Sequence, residues 1–310
     1  MYKKLKGIER IKFSLKNYWF IYLLIIPGLL SLLVYSYGPM FLQFVLAFTD
    51  YNFADGIFGS KFVGFQNFVY LFSEMPDFWR IFGNPMLFSF LDFIFGFIPP
   101  IILAIILFHL NNDRFRRFSQ GVLYIPHFFS WVIVYSIAYG MLSNTGMLNS
   151  VLNKLFGFSY DFLTSPKAVR VILYVFSVWK GIGWGPLMYL AAMQNIDPGL
   201  YEAARIDGCG PWRRITTVTL PGIRGVLIYQ LIFVIGGIFV GGNTEEILLF
   251  YSPAVRQGVE TVNTWLYNYG LMAFEYSPGS ALSLVQSLMG MILVLGANKF
   301  MSKKFGISIW

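Results

Sequence analysis

Six apolar runs dominate this 310-residue sequence, and each is long enough to cross a bilayer as a helix. We place the membrane spans at residues 18–37, 85–110, 119–142, 168–193, 222–242 and 279–298. Apolar residues make up 56% of the chain and charged residues only 12%, which leaves too little polar surface for a soluble protein of this length. The sequence therefore predicts an all-α polytopic membrane protein with six transmembrane helices.

The distribution of charge predicts which side of the membrane each connection faces. Lysine and arginine concentrate in residues 1–17, in the loops 111–118 and 194–221 and at the end of the sixth span, whereas the outer loops are mostly acidic. The positive-inside rule then places both termini, including the tail 301–310, in the cytoplasm. The net charge of +8 follows this topology, so it does not indicate nucleic-acid binding.

The polar stretch between the fourth and fifth spans carries the strongest local signals. Asp197 followed by Pro198 is typical of a helix start, and we expect a short helix from Pro198 to Ile206. Gly208 is placed to end this helix in a left-handed turn. We expect Gly210 and Pro211 to open a second short helix, which Leu220 and Pro221 then stop. The stretch predicts a helix, turn, helix held by the membrane at both ends.

The spacing of this stretch resembles the EAA loop of type I ATP-binding-cassette (ABC) importer permeases, the inner membrane components of binding-protein-dependent transport systems. Cys209 departs from the small residue usual in that family. The resemblance implies that residues 194–221 contain the coupling helix, which docks in a cleft of a separate ATPase. The residues that would carry this coupling are Glu202, Ala203, Ala204, Asp207 and Gly208.

The segment 61–72, the sequence YNYGL at 267–271 and the basic end of the last span are similar to the carbohydrate branch of the same family. That resemblance implies a single permease domain, residues 18–300, in a bacterial cell membrane. It also implies an oligosaccharide substrate derived from polysaccharide breakdown. The partners it implies are a second related permease, two ATPase subunits that bind ATP and Mg, and an extracellular solute-binding protein or lipoprotein.

The sequence itself offers no catalytic centre. A phosphate-binding loop needs a Gly-Lys pair, and none occurs in the chain, so the ATPase must be another subunit. His109 and His127 stand alone without neighbouring acids or cysteines, so we predict no metal site. No G-x-S-x-G sequence is present, which disfavours a membrane hydrolase. We expect neither catalytic residues nor a cofactor in this chain.

Ionisable groups inside spans are costly and often functional, and two stand out here, Asp92 and Lys180. Lys180 stands between Trp179 and Trp184, and tryptophans stack on sugar rings, so this stretch is a candidate for the substrate path. The alternative is structural, with Lys180 pairing with Asp92 or extending toward the membrane surface and the tryptophans packing. Further path candidates are Asn243, Glu245 and Gln286.

Two alternatives to an importer permease remain open at this point. An ion-gradient-driven secondary transporter would need paired intramembrane acids or an internal repeat, and the sequence shows one buried acid and no repeat. The second alternative is a membrane scaffold protein with no path for a solute. The presence of Lys180 inside a span and of the loop 194–221 argues against it. Lys180 favours an acidic oligosaccharide, but one lysine does not identify the sugar.

Overall fold

The computed structural model describes residues 8–309, with side chains from Phe13 onward, and the first seven residues of the predicted basic segment 1–17 lie outside this range, as does Trp310. The described chain is mostly helical. Within it, four helices are long and apolar enough to cross a membrane, and the number rises to six if each of two bent pairs is one span. The all-α prediction is confirmed, and the chain is built for several membrane crossings.

The four continuous spans are Phe13–Ala47, Phe78–His109, Pro166–Gln194 and Tyr276–Phe305. Three of these helices extend well beyond the membrane spans predicted at 18–37, 85–110 and 279–298, whose membrane boundaries stay predictions. The first continues past Gly38, the second begins before Pro85, and the last runs through half of the predicted tail. A helix is held by backbone hydrogen bonds, which do not depend on the polarity of the side chains, so it can continue past the last apolar residue.

Two of these spans consist of helices joined through a π turn. Their segments are α1 (Ile8–Leu32), a π turn (Leu33–Tyr37) and α2 (Gly38–Ala47), then α5 (Phe78–Leu91), a π turn (Asp92–Phe97) and α6 (Ile98–His109). The Pro166–Gln194 span comprises α10 (Pro166–Gly181) and α11 (Pro186–Gln194), and the last span is α19 (Tyr276–Phe305).

Prolines explain where three of the four π turns among the described residues occur. Pro39, Pro99 and Pro221 each stand two residues after the end of a π turn. A proline lacks the backbone N–H and its ring clashes with the carbonyl four residues earlier, which here lies inside the π turn. The wider turn moves that carbonyl aside and lets the helix continue. Pro99 and Pro100 therefore lie within α6, and the irregularity that accommodates Pro99 is the preceding π turn.

The predicted third span, 119–142, is wrong as a single helix. Its chain forms α7 (Asp113–Tyr124), a 3₁₀ turn (Ile125–Phe128), α8 (Trp131–Leu142) and α9 (Met147–Phe156). The helices on either side of residues 129–130 are bent by 92°. Pro126 lies in the 3₁₀ turn, and the Ser130 hydroxyl accepts from the Ile133 N–H at 3.3 Å, which starts α8 in its new direction.

The fifth span is also shorter and more bent than predicted. The chain enters it through α13 (Pro211–Arg214), a π turn (Ile215–Thr219) and α14 (Leu220–Gly222), then turns by 67° into α15 (Arg224–Gly236). The helix ends at Gly236, whereas the span was predicted to continue to residue 242, so residues 237–242 lie outside the helix. The wide π turn lets Leu220 and Pro221 continue the helix, so the prediction that they stop it is wrong.

The remaining elements are short and surround one end of the long spans. They are β1 (Thr49–Asp50), α3 (Gly56–Gly59), β2 (Lys61–Phe62), α4 (Gln66–Ser73), α16 (Thr244–Phe250), α17 (Arg256–Val259), α18 (Val262–Trp265) and a π turn (Leu266–Met272). The two strands pair antiparallel, with Thr49 opposite Phe62. Helix α4 packs on α19, and its Leu71 joins a buried apolar cluster with Phe78, Trp265 and Leu282.

A buried ion network ties these short elements to α5. Glu260 is 0% exposed, and its carboxylate accepts from Arg80 at 2.9 Å, from Arg256 at 3.0 Å and from the Tyr251 hydroxyl at 2.8 Å. Asp77 bridges the same two arginines at 2.8 Å each. Burial, together with the hydrogen bond to Glu260, raises the pKa of the Tyr251 phenol, which therefore remains a proton donor.

We expect Glu260→Gln to lower the stability of the protein by about 3 kcal/mol, because it leaves two arginines facing a neutral group in a buried site. The measurement is the midpoint of unfolding in detergent, with tryptophan fluorescence as the signal. The matched control is Glu74→Gln, which neutralises an exposed carboxylate on the same end of the molecule. Equal midpoints for the two variants would show that the network contributes little.

Candidate functional site

The loop between α11 and α15 begins with the short helix expected from the sequence, α12 (Pro198–Ile206). The Asp197 carboxylate accepts from the Gly199 N–H at 2.8 Å and so satisfies one free donor of the first turn. Pro198 occupies the first helical position, where its missing N–H costs nothing. The predicted bounds are confirmed because both signals are local.

Helix α12 ends in a Schellman motif. Gly208 has φ of +74°, in the left-handed region that side chains with a Cβ disfavour. The Gly208 N–H donates to the Arg205 carbonyl at 3.1 Å, and the Cys209 N–H donates to the Ala204 carbonyl at 2.9 Å. These two bonds satisfy carbonyls that the helix end leaves free. The predicted role of Gly208 as the helix terminator is confirmed, and the turn has a defined shape.

A hydrogen bond joins α12 to the π turn on the return side of this loop. The Tyr201 hydroxyl lies 3.0 Å from the Thr219 hydroxyl, and Thr219 is fully buried. Between the loop and the end of α6 lies a cavity of about 750 Å³, whose lining includes Tyr201, Glu202, Arg205 and His109. The loop is therefore a preformed unit attached to the ends of α6 and α11.

The predicted coupling residues lie together but differ in exposure. Ala204 is 8% exposed and packs inward, whereas the other four are exposed: Glu202, Ala203, Asp207 and Gly208. Two large apolar side chains that the sequence reasoning did not select are also exposed here, Ile206 at 87% and Trp212 at 77%. Exposed apolar side chains at the tip of a fixed loop are typical of a protein contact surface. The sequence offered one signal for their exposure, because Ile206 ends α12 and Trp212 lies at the start of α13.

Lys180 does not pair with Asp92, so that structural alternative is wrong. The Lys180 amine donates to the His127 backbone carbonyl at 2.6 Å and lies 5.4 Å from the centroid of a Trp131 ring. His127 belongs to the 3₁₀ turn of the bent third span, where carbonyls are left without helical partners. The lysine thus satisfies the backbone at the bend.

The two tryptophans beside Lys180 differ in their surroundings. The Trp184 ring stacks on the His127 imidazole, with ring centroids 4.3 Å apart and planes inclined by 4°. Trp179 meets Phe129 and Phe176 at ring-centroid distances of 6.2 Å each. Both tryptophans keep part of their surface exposed. The structure places them at the contact between the fourth span and the bent third span.

A separate polar recess lies where α5, α10 and the end of α15 meet. Its volume is about 310 Å³, and its polar lining consists of Ser89, Asp92, Ser177 and Asn243. Asn243 caps α16 by accepting from the Glu246 N–H at 3.1 Å. The structure therefore brings Asn243 to Asp92, two residues that are 151 positions apart, and leaves Lys180, Trp179 and Trp184 outside this lining.

Three further residues surround this recess. Gln286 of α19 donates to the Phe239 carbonyl at 2.9 Å, which holds the non-helical segment 237–243, and Glu245 is exposed at the start of α16. Glu246, which the sequence reasoning passed over, is 2% exposed, and its Oε1 atom has no hydrogen-bond partner among the described residues. Glu246 interacts electrostatically with both Asp92 and Lys180. No local sequence signal distinguishes it from its exposed neighbour.

Comparison with known proteins decides what this architecture is. Residues 101–302 match the family described as binding-protein-dependent transport system inner membrane component. The chain belongs to this family. The match includes the loop with α12, the bent spans and most of the recess.

Relatives extend the likeness over almost the whole chain. Protein LplB of Bacillus subtilis is 37% identical over 97% of this chain and 93% of its own length. The polygalacturonan/rhamnogalacturonan transport system permease YteP of the same organism is 35% identical over 99% of this chain and 94% of its own. Among solved structures, a bacterial ABC transporter involved in import of the acidic polysaccharide alginate matches with a TM-score of 0.85 and 32% identity, over 96% of this chain and 99% of that chain.

The family membership confirms the predicted identity as a carbohydrate-type ABC importer permease and the type of fold. It also decides between the two transport mechanisms considered above, because members of this family work within ABC transport systems and not as ion-gradient transporters. The roles of individual residues in this importer permease remain predictions.

We expect Lys180→Met to destabilise the permease by about 1.5–3 kcal/mol, the usual worth of a hydrogen bond to a charged donor. The bend at residues 125–130 would lose the partner of the His127 carbonyl. The unfolding midpoint in detergent measures this loss, and Lys154→Met, at an exposed lysine, is the control. A Lys180→Met variant as stable as wild type but defective in transport would contradict the structural role and restore a role in the path.

Proposed function

We propose that this chain is one of two membrane subunits in an ATP-driven importer of oligosaccharides in a bacterial cell membrane. The family match and the names of relatives, which include an arabinooligosaccharide transport system permease from Bacillus subtilis, support a sugar-derived substrate. In this proposal an extracellular solute-binding protein delivers the sugar. A structural relative crystallised with a pentasaccharide-bound periplasmic protein supports that partner.

The observation that carries the proposal is the fixed loop around α12. A helix capped at both ends, attached to its own return leg and exposing Ile206 and Trp212, has the properties of a docking element. We infer that it inserts into a cleft of a cytoplasmic ATPase, with Glu202, Ala203, Asp207 and Gly208 on the exposed side. Two copies of that ATPase would bind ATP and Mg, and this chain would contain no ATPase site.

The orientation follows from the same proposal. The ATPase needs the α12 loop in the cytoplasm, and Arg205, Arg213 and Arg214 lie on this loop. The basic residues after α6 and near the end of α19 would share that side, in agreement with the positive-inside rule. Both termini would then be cytoplasmic, and the Glu260 network would lie at the outer surface, where the binding protein docks.

A second, related permease would complete the translocation path. The polar recess contains groups from one chain only, and many large apolar side chains of the spans are exposed. Closure of the ATPase dimer would pull the two α12 loops together and open the path toward the outside. Hydrolysis would return it to the inward-facing state. The remaining exposed apolar surface would contact lipid.

We expect Gly208→Val to abolish stimulation of ATP hydrolysis by sugar-loaded binding protein, because a β-branched residue at φ of +74° forces the turn after α12 to change shape. The measurement is ATPase activity of the affinity-purified complex in liposomes, with and without loaded binding protein. Gly210→Val is the matched control, because Gly210 has φ of −65° and neither glycine has an atom near the position of an added Cβ.

Stimulation of the Gly208→Val complex at the wild-type level would show that this turn does not transmit the signal. If no ATPase co-purifies with folded wild-type protein, the docking proposal itself fails. Loss of stimulation in both variants would show that contact along the whole loop matters and that the left-handed turn has no special part.

A further inference from the structure

The polar recess lies near the middle of two long apolar helices that could cross a membrane. Asp92 is the fifteenth of 32 residues in the Phe78–His109 span, and Ser177 is the twelfth of 29 in the Pro166–Gln194 span. A carboxylate at this depth is costly against lipid and is normally found facing a water-filled path or the interior of a bundle. The cavity beside Asp92 therefore indicates a position on the translocation path.

The backbone at the recess is also irregular. Helix α15 ends at Gly236, and residues 237–243 form turns outside any regular helix before α16 begins. Non-helical backbone at membrane depth is tolerated where it is buried in protein or lines an aqueous cavity, and transporters use such segments for binding. Gly241 and Gly242 both have positive φ, and the Gly241 backbone approaches Pro85 too closely for a side chain. The segment is thus held in place while its outer side faces the recess.

The ionisable side chain in the lining of the recess is an acid, Asp92, and the exposed Glu245 lies at the start of the helix that Asn243 caps. Lys180 interacts electrostatically with the buried Glu246 of that helix, and its amine is already bound to the His127 carbonyl. A sugar carboxylate entering the recess would meet Asp92 without a free cation from the residues that line it.

The remaining lining groups suit sugar hydroxyls. Asp92 offers two acceptor oxygens, the Ser177 hydroxyl donates and accepts, and the Asn243 amide nitrogen is a donor. Ser89 is less available, because its hydroxyl donates to the Ile238 carbonyl at 3.0 Å. A carboxylate that accepts from hydroxyl groups makes short, strong hydrogen bonds, whereas two carboxylates repel.

We propose that this recess is a contact site for uncharged sugar residues, which it recognises through their hydroxyl groups, and that it disfavours uronic-acid residues. The proposal rests on the importer function and narrows its substrate to neutral oligosaccharides. It reverses the weak preference for an acidic sugar that Lys180 alone indicates. The proposal sets this chain apart from relatives named for polygalacturonan/rhamnogalacturonan and for the acidic polysaccharide alginate, and groups it with a relative named for lactose.

The test uses the complete membrane complex, both permeases with their ATPase subunits, in nanodiscs without the binding protein. Saturation-transfer NMR titrations compare xylotetraose with tetragalacturonate, two probes of equal length that differ in charge. In wild type we expect xylotetraose to bind about 10-fold more tightly or better, because like-charge contact opposes the galacturonate. Asp92→Asn keeps a hydrogen-bonding side chain of the same size, and we expect it to reduce this difference several-fold.

Two further variants make the result specific. Asp161→Asn neutralises an exposed acid of an outer loop and should leave both affinities unchanged. Ser177→Ala removes one hydroxyl of the recess and should weaken xylotetraose without changing the charge. It also provides an independent readout if Asp92→Asn does not fold.

Tighter binding of tetragalacturonate to wild type would overturn the proposal, as would unchanged affinities in both Asp92→Asn and Ser177→Ala. If neither sugar binds, the proposal is overturned as well. ATP hydrolysis measured on the same nanodiscs with added loaded binding protein separates these outcomes from failure of the importer function. Stimulated hydrolysis with a preference for galacturonate would retain the importer and reject the neutral-sugar recess.

Discussion

Every irregular turn of this chain must satisfy its own backbone, because the bilayer offers no water to an unpaired carbonyl. The clearest cases are three side chains that donate to free carbonyls at breaks in the spans. Lys180 donates to His127, Ser89 to Ile238 and Gln286 to Phe239. Each bond joins a break in one span to the side of another. Lys180, Ser89 and Gln286 are polar residues within apolar spans. Their hydrogen bonds stabilise the breaks in the helices, and the bends and the recess depend on those breaks.

Prolines follow the same constraint in another way, and they explain where the sequence misleads. Apolar runs correctly predicted an all-α membrane protein, because composition alone determines that class. The apolar runs predicted that the first span ends at Tyr37 and the second begins at Pro85, and Pro221 was predicted to stop the second helix of the α12 loop. The structure absorbs Pro39 and Pro221 into helices behind π turns, and Pro85 lies inside α5. Sequence rules for proline come from helices in water, where ending a helix is cheap because water replaces the lost bonds. In the membrane a π turn that preserves internal bonding is the lower-energy solution.

The two parts of the candidate site differ in how far a sequence can predict them. Helix α12 and its terminating turn were predictable to the residue, since the cap, the proline and the left-handed glycine act within a dozen positions. The recess was not, because Ser89, Asp92, Ser177 and Asn243 meet only after three spans pack. Asp92 and Asn243 were selected separately for being polar among apolar neighbours. Glu246 was missed because nothing local separates a buried acid from the exposed Glu245 beside it.

The chain order links these two parts mechanically. The α12 loop is preceded by the span that supplies Ser177 and followed by α15, whose end opens directly into the recess segment 237–243. Helix α15 has 13 residues and is therefore about 20 Å long. It has a joint at each end, a 67° bend at Ile223 and the glycine pair Gly236 and Gly237. Gly236 packs so closely on Val294 of α19 that a side chain there would collide, which holds the far joint in place. We therefore expect a displacement of the loop to move the backbone that lines the recess, with α15 as a rigid connection whose far end is held against the last span.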